Sequence, residues 1–151
     1  HQTQFFKWYF DHRDLNLSLR MQSQICIRDS IEAFPASKPC LAFVVVYWTE
    51  YEIIIHSDSA LQLIWLHRSK VSEPENALLD AIKNFDFPEG EYDVFVHGEA
   101  GEVRSIRKHL IADRGIDESK SSISPYWRRN HTDEAWRSIK RQWLADQRND
   151  T

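Results

Sequence analysis

The sequence predicts an α/β protein built on a mostly parallel five-stranded sheet with helices on both faces. Three observations carry that expectation. Leu41-Ala42-Phe43-Val44-Val45-Val46-Tyr47-Trp48 is apolar at every position, as a strand covered on both sides must be. From residue 40 to 145, short β-branched and aromatic runs alternate with segments of helical periodicity, which is the signature of strand–helix–strand units. Val94-Phe95-Val96-His97 then runs into Gly98-Glu99-Ala100-Gly101, a glycine turn at the head of a long charged helix.

Each element follows from its residues. Phe5 to Phe10 is aromatic and reads as a first strand, followed by the polar, glycine-free stretch Asp11-His12-Arg13-Asp14-Leu15-Asn16. Leu19 to Phe34 is weakly amphipathic, with Met21, Ile25, Ile31 and Phe34 inward, and predicts a helix. Pro35-Ala36-Ser37-Lys38-Pro39 is a turn by composition. Ile53-Ile54-Ile55 reads as a short strand or an extended connection, and Leu61 to Leu66 as a strand ending in His67-Arg68. Pro74 and Glu75 open a helix with Ala77, Leu78, Ala81, Ile82 and Phe85 on one stripe. After the turn Phe87-Pro88-Glu89-Gly90 come a strand from Tyr92 to His97 and a helix from Glu99 to Arg114. That helix buries Val103, Ile106, Leu110 and Ile111, and Gly115 ends it. Ser121 to Tyr126 is the last strand. Thr132 caps the last helix, where Trp136, Ile139 and Trp143 form a packing face.

Bulk properties narrow the function. The 151 residues are enough for one domain with a core, and 42% hydrophobic with 28% charged residues is a folded, globular composition. No apolar run is long enough to span a bilayer and no secretory leader is visible. Two cysteines, Cys26 and Cys40, make no disulfide framework, so reduced thiols and a cytoplasmic location are expected. The chain begins at His1, and a piece of a longer protein is expected. Net charge is −4, but residues 104–148 hold eleven Lys/Arg against six Asp/Glu. That basic third suggests an anionic ligand, or else a set of solvated helix faces. The acidic remainder argues against nucleic acid. The seven histidines show no HxxxH or HExxH spacing and no GxSxG occurs, so neither a metal site nor a serine nucleophile is indicated.

Two segments have ligand chemistry. The turn at Gly98, Glu99 and Ala100 joins a strand's carboxyl end to a helix's amino end, where free N–H groups and partial positive charge attract anions. The alternative is that Gly98 only permits a tight turn. Tyr126-Trp127-Arg128-Arg129 sets aromatic faces and two fixed cations at another strand end. Here the alternative is that Trp127 packs under the last helix while the arginines are solvated.

A resemblance ties these segments together. Phe95 to Leu110, Arg114-Gly115, Tyr126-Trp127-Arg128-Arg129 and Asp133-Glu134-Ala135-Trp136 resemble the C-terminal half of siderophore-interacting proteins. Leu61 to Arg68 is similar to the same family's strand ending in Trp-Leu-His-Arg, and Glu32-Ala33-Phe34-Pro35-Ala36 to the helix end before its second strand. The resemblance covers roughly residues 25–146, with 1–24 a divergent N-terminal segment and 147–151 a tail. It implies a Rossmann-like domain of the ferredoxin-reductase type, belonging to flavin-dependent ferric-siderophore reductases. In such proteins an N-terminal barrel holds FAD, the α/β domain binds NAD(P)H or otherwise supports electron delivery, and electrons reach chelated Fe(III) through the flavin.

By that resemblance Gly98, Glu99, Ala100, Tyr126 and Trp127 face the cofactor, and Arg68 and Arg104 contact its phosphates. Arg128 and Arg129 meet the anionic ferric siderophore. No residue has a proton-transfer role. Two departures stand out: nothing upstream supplies the six strands of an FAD barrel, and the family's Gly-Asp-Glu-Thr loop is replaced by Phe10 to Asn16. Asn130 also stands where the family has glycine. The leading expectation is therefore the NAD(P)H-binding-type domain of such a reductase, truncated or divergent. The alternatives are a non-catalytic module that docks to a separate flavoprotein, and a domain for another anionic small molecule.

Overall fold

The structure, a computed structural model, describes residues 3–9 as a backbone strand and residues 28–29, 31–87 and 89–150 in full. The stretch Asp11 to Asn16 and most of the helix expected over Leu19 to Phe34 lie outside the described residues. Five strands, β1 (Thr3–Tyr9), β2 (Cys40–Val46), β3 (Leu61–His67), β4 (Tyr92–Glu99) and β5 (Ser121–Trp127), are hydrogen-bonded in the order β3-β2-β1-β4-β5. Every neighbouring pair is parallel, with Phe5 opposite Leu41 and Val94, and Trp8 opposite Val44 and His97. The parallel α/β architecture read from strand–helix alternation is thus present.

Chain order reverses between β1 and β4, so the crevice outside those two carboxyl ends is where such a sheet receives ligands. β2 is buried at all seven positions, which explains its unbroken apolar sequence. Alternate residues divide between two layers. Leu41, Phe43 and Val45 pack with Leu78 and Ile82 of α1 (Ala77–Lys83) and with Val103 and Ile106 of α2 (Ala100–Lys108). Ala42 and Val44 face the other way and pack with Ile31, from the helical residues before Pro35. Each fully buried Val, Leu or Ile contributes about 1.5–3 kcal/mol relative to exposure.

Several expected boundaries move. Ile53-Ile54-Ile55 is an extended connection and not a strand. α1 starts at Ala77, three residues after Pro74, and Phe85 lies beyond its end, yet Phe85 still meets Phe43 edge-to-face at 5.5 Å. α2 gives way after Lys108 to a π-helical turn, His109–Asp113, in which the Arg114 N–H donates to the His109 carbonyl at 3.0 Å. The wider turn keeps Leu110 buried, and Gly115, at φ 69°, then reverses the chain in a conformation that β-carbon sterics disfavour. α3 (Asp133–Gln147) is capped by Thr132, whose Oγ1 accepts the Ala135 N–H at 3.1 Å. Its Trp136 and Trp143 pack edge-to-face at 5.6 Å against Ala100 at the head of α2.

Candidate functional site at the strand carboxyl ends

The β4–α2 junction is built around a slipped ladder. Gly98 pairs with Pro125, but Glu99 pairs with Trp127, so Tyr126 is skipped. β5 is an edge strand, which tolerates Pro125 without a missing ladder bond. The slip turns Glu99 inward as the N-cap of α2. Its Oε2 accepts the Glu102 N–H at 3.0 Å, and its Oε1 accepts the Arg129 N–H at 3.2 Å. The carboxylate therefore sits where a bound phosphate would sit, and Glu99 is buried at 4% exposure. Gly101 makes the room: a β-carbon there would lie 3.2 Å from Glu99 Oε2.

Beneath this cap lies an ion network. Arg68, at the end of β3, is 1% exposed and donates through Nη2 to both Glu102 oxygens, at 3.0 and 2.9 Å. Its Nη1 donates to the Pro74 carbonyl. Arg129 donates to Glu102 Oε1 at 3.2 Å and reaches Glu75 at 3.1 Å with its other terminal nitrogen. Burial pushes the Glu102 carboxyl up to about 7, while the two guanidinium groups pull it down and the Glu99 carboxylate adds to the rise. The network joins the β3–α1 connection, the start of α2 and the loop after β5.

The outer part of the site differs in character. His97 is buried, stacks on Phe95 at 4.0 Å and meets the Tyr126 ring edge-on at 4.2 Å. Burial, helped by the Lys140 charge, lowers its pKa to about 4, so the imidazole is neutral at pH 7. Tyr126 is 54% exposed and offers an aromatic surface beside the reversal of strand order. Trp127 points to the other layer and packs against the main core. Arg128 is half-buried, and among the described residues its guanidinium has no hydrogen-bond or ion-pair partner. The Arg128 carbonyl accepts the His131 N–H at 3.2 Å across a turn that holds Asn130 at φ 61°. That left-handed position favours Gly or Asn, which accounts for the residue found there.

The structure thus brings Gly98, Glu99, Ala100, Tyr126, Trp127, Arg128 and Arg129 to one end of the sheet. Two residues expected at phosphates have partners within the chain. Arg68 is sequestered by Glu102. Arg104 pairs with Asp150, its Nη2 2.8 Å from Oδ1, and lies 5.6 Å over the Trp143 ring, facing α3. Much of the basic third is likewise neutralised internally: Arg107 pairs with Glu118 at 2.6 Å and Lys120 with Glu91 at 2.8 Å. Sequence reasoning missed Glu75, Glu102 and His97. The Glu99-x-x-Glu102 spacing resembles a capping box and was the available signal for Glu102. His97, inside an apolar run, carried no signal.

A separate cavity of about 330 Å³ lies at the opposite end of β4, lined by Phe87, Tyr92, Arg114, Ile116 and Lys120 among others. None of the expected site residues reaches it. Among the described residues no cluster of His, Cys, Asp or Glu could hold a metal ion, and no helix is long and apolar enough to cross a membrane.

Comparison with known proteins places the chain in a family. Residues 25–130 match the sequence profile described as siderophore-interacting protein. Uncharacterized proteins of Mycobacterium tuberculosis H37Rv and Mycobacterium bovis are 32% identical over 126 residues, a match covering 77% of this chain and 44% of theirs. The chain thus spans less than half the length of these relatives. Among solved structures, the siderophore-interacting protein from Acinetobacter baumannii superposes with a TM-score of 0.71 at 13% identity, over 97% of this chain and 53% of that one. SipS from Aeromonas hydrophila gives 0.70 at 18% identity, over 96% and 52%. A siderophore utilization protein from T. fusca gives 0.63 at 22% identity, over 88% and 46%.

Proposed function

The chain belongs to the siderophore-interacting protein family, and we propose that it is the nicotinamide-facing α/β half of a ferric-siderophore reductase that works with a flavin-bearing half in the cytoplasm. One observation carries the reading: exposed Tyr126 stands edge-on to neutral His97 at the reversal of strand order, with Arg128 two residues along the chain. A flat ring needs an aromatic neighbour and a place free of side chains, and Gly98 supplies the second. The nicotinamide, when bound, supplies the hydride from which the electrons for the ferric ion come. This chain's own residues bind and orient. Gly98 lets a ring approach the end of β4, Tyr126 gives it an edge or face, and Arg128 with Lys140 holds positive charge toward an anionic chelate.

The cofactor's phosphates do not fit at the start of α2, because the Glu99 carboxylate already accepts the Glu102 N–H there and the Glu102 carboxylate adds a second negative charge beside it. No phosphate contact is assigned there. That same closure favours a second reading, in which the chain is a non-catalytic module docking to a separate flavoprotein. Titrating the chain with NADPH and NADH, with and without FAD, while following tryptophan fluorescence, separates the two. The reductase reading expects a saturable response that Tyr126→Ala weakens. A flat response, or one indifferent to Tyr126, discards it for this chain and leaves the docking module.

A further inference from the structure

Two adjacent arginines follow β5, and the structure treats them differently. Arg129 is forked: one terminal nitrogen reaches Glu102 Oε1 at 3.2 Å and the other reaches Glu75 at 3.1 Å, while its backbone N–H is held by Glu99 Oε1 at 3.2 Å. Among the described residues, three carboxylates from two segments thus hold one residue. Glu102 is itself pinned from below by the two bonds from Arg68. Arg128 has none of these ties. The turn from Arg128 to His131, through the left-handed Asn130, is closed by the His131 N–H on the Arg128 carbonyl and by the His131 ring on the Arg129 carbonyl at 2.9 Å.

We propose that Arg129 is a positioning residue: strapped between Glu75 and Glu102, it fixes the Arg128–His131 turn onto the head of α2, so that Arg128 rather than Arg129 meets an anionic ligand at the strand ends. The strap needs the guanidinium fork, because one flexible ammonium cannot serve both carboxylates in fixed geometry. The inference rests on the proposed reading only for the identity of the ligand.

The test uses the whole chain and ferric tris-catecholate, a trianionic probe, with affinity measured by calorimetry at two salt concentrations. Arg128→Ala should weaken binding about tenfold, as loss of one charge-assisted contact does, and flatten its salt dependence. Arg128→Lys should recover part of the loss. Arg129→Lys, which keeps the charge, should bind as weakly as Arg129→Ala, with the salt dependence of the native chain. Glu75→Gln is the variant safest for folding, since Glu75 lies at the surface. It removes a negative charge yet should weaken binding of the anion. Recovery by Arg129→Lys, or tighter binding by Glu75→Gln, would overturn the proposal, because both are what direct ligand contact or simple charge attraction requires. Amide hydrogen exchange at Arg129 and His131, measured without ligand, should accelerate in Glu75→Gln and Arg129→Lys; unchanged exchange rejects the strap. If the native chain does not bind the chelate while exchange responds as expected, the strap stands and the chelate reading fails.

Discussion

The strand ends carry two neighbouring regions made from similar residues with opposite outcomes. Around Arg68, Glu99 and Glu102, charges are buried and paired, and the partly exposed Arg129 is tied to them. Farther along the same two strands, His97, Tyr126 and Arg128 form a surface whose tyrosine ring is exposed and whose arginine has no carboxylate partner among the described residues. Residue type does not separate the regions; the neighbours supplied by other elements do. An arginine opposite a buried glutamate is a structural tie. The next arginine, displaced by one residue along an irregular strand end, remains available to a ligand. Anion binding is therefore expected from the second region, although the first has the helix N-terminus that usually provides it.

The most severe way to break this comparison is to unpair the closed region. Glu102→Ala leaves the Arg68 guanidinium buried beside Pro74 without its carboxylate, and about 3–5 kcal/mol of stability should be lost. Urea unfolding measures this, and a loss below about 1 kcal/mol would mean that water reaches Arg68. Replacing both partners together, Arg68→Met with Glu102→Leu, should restore much of the loss, since the penalty comes from the orphaned charge.

The open region is sharpened by pH. The folded pKa of His97, about 4, lies below its ordinary value of 6.5, so its stabilising contribution is complete above pH 6.5 and is lost as pH falls toward 4. The slope reaches at most about 1.4 kcal/mol per pH unit. Glu102 acts in the opposite sense, because its carboxyl is raised: its contribution is full below pH 4.5 and fades as pH rises through about 7. The His97 term is therefore read as the difference between the native chain and His97→Asn. That difference should shrink as pH drops from 6.5 to 4. A constant difference would show that His97 is solvated.

The smallest effect concerns the hinge between the regions. Asn130 sits at φ 61°, where a β-carbon without a local hydrogen bond is disfavoured. Asn130→Ala should cost about 1 kcal/mol and Asn130→Gly nearly nothing, by thermal denaturation. Equal losses would mean that the Asn side chain, and not its backbone, holds the turn.

Much of the fold was legible because it rests on local chemistry. The unbroken apolar run of β2 required a strand buried on both faces, and that is its environment. Thr132 announced the start of α3, and Gly115 the reversal after α2. The residues that gather at the strand ends were legible by location but not by partner. Strand-end position brought Gly98, Tyr126 and Arg128 into consideration, whereas nothing adjacent to Arg68 in sequence foretold a carboxylate 34 residues away. The π-helical turn after Lys108 was equally hidden, because its sequence continues a helical pattern.

The sequence by itself determined the alternation of elements, the parallel sheet, the family and which residues gather at the carboxyl end of the sheet. These follow from periodicity, turn residues and ordered motifs, all local along the chain. Only the tertiary structure decided which charges are spent internally: Arg68 and Arg129 on Glu102, Arg104 on Asp150, and Glu99 on the helix N-terminus that would otherwise take an anion. The physical reason is that a charge's role depends on what lies within about 4 Å of it. That distance is set by the packing of segments far apart in the chain.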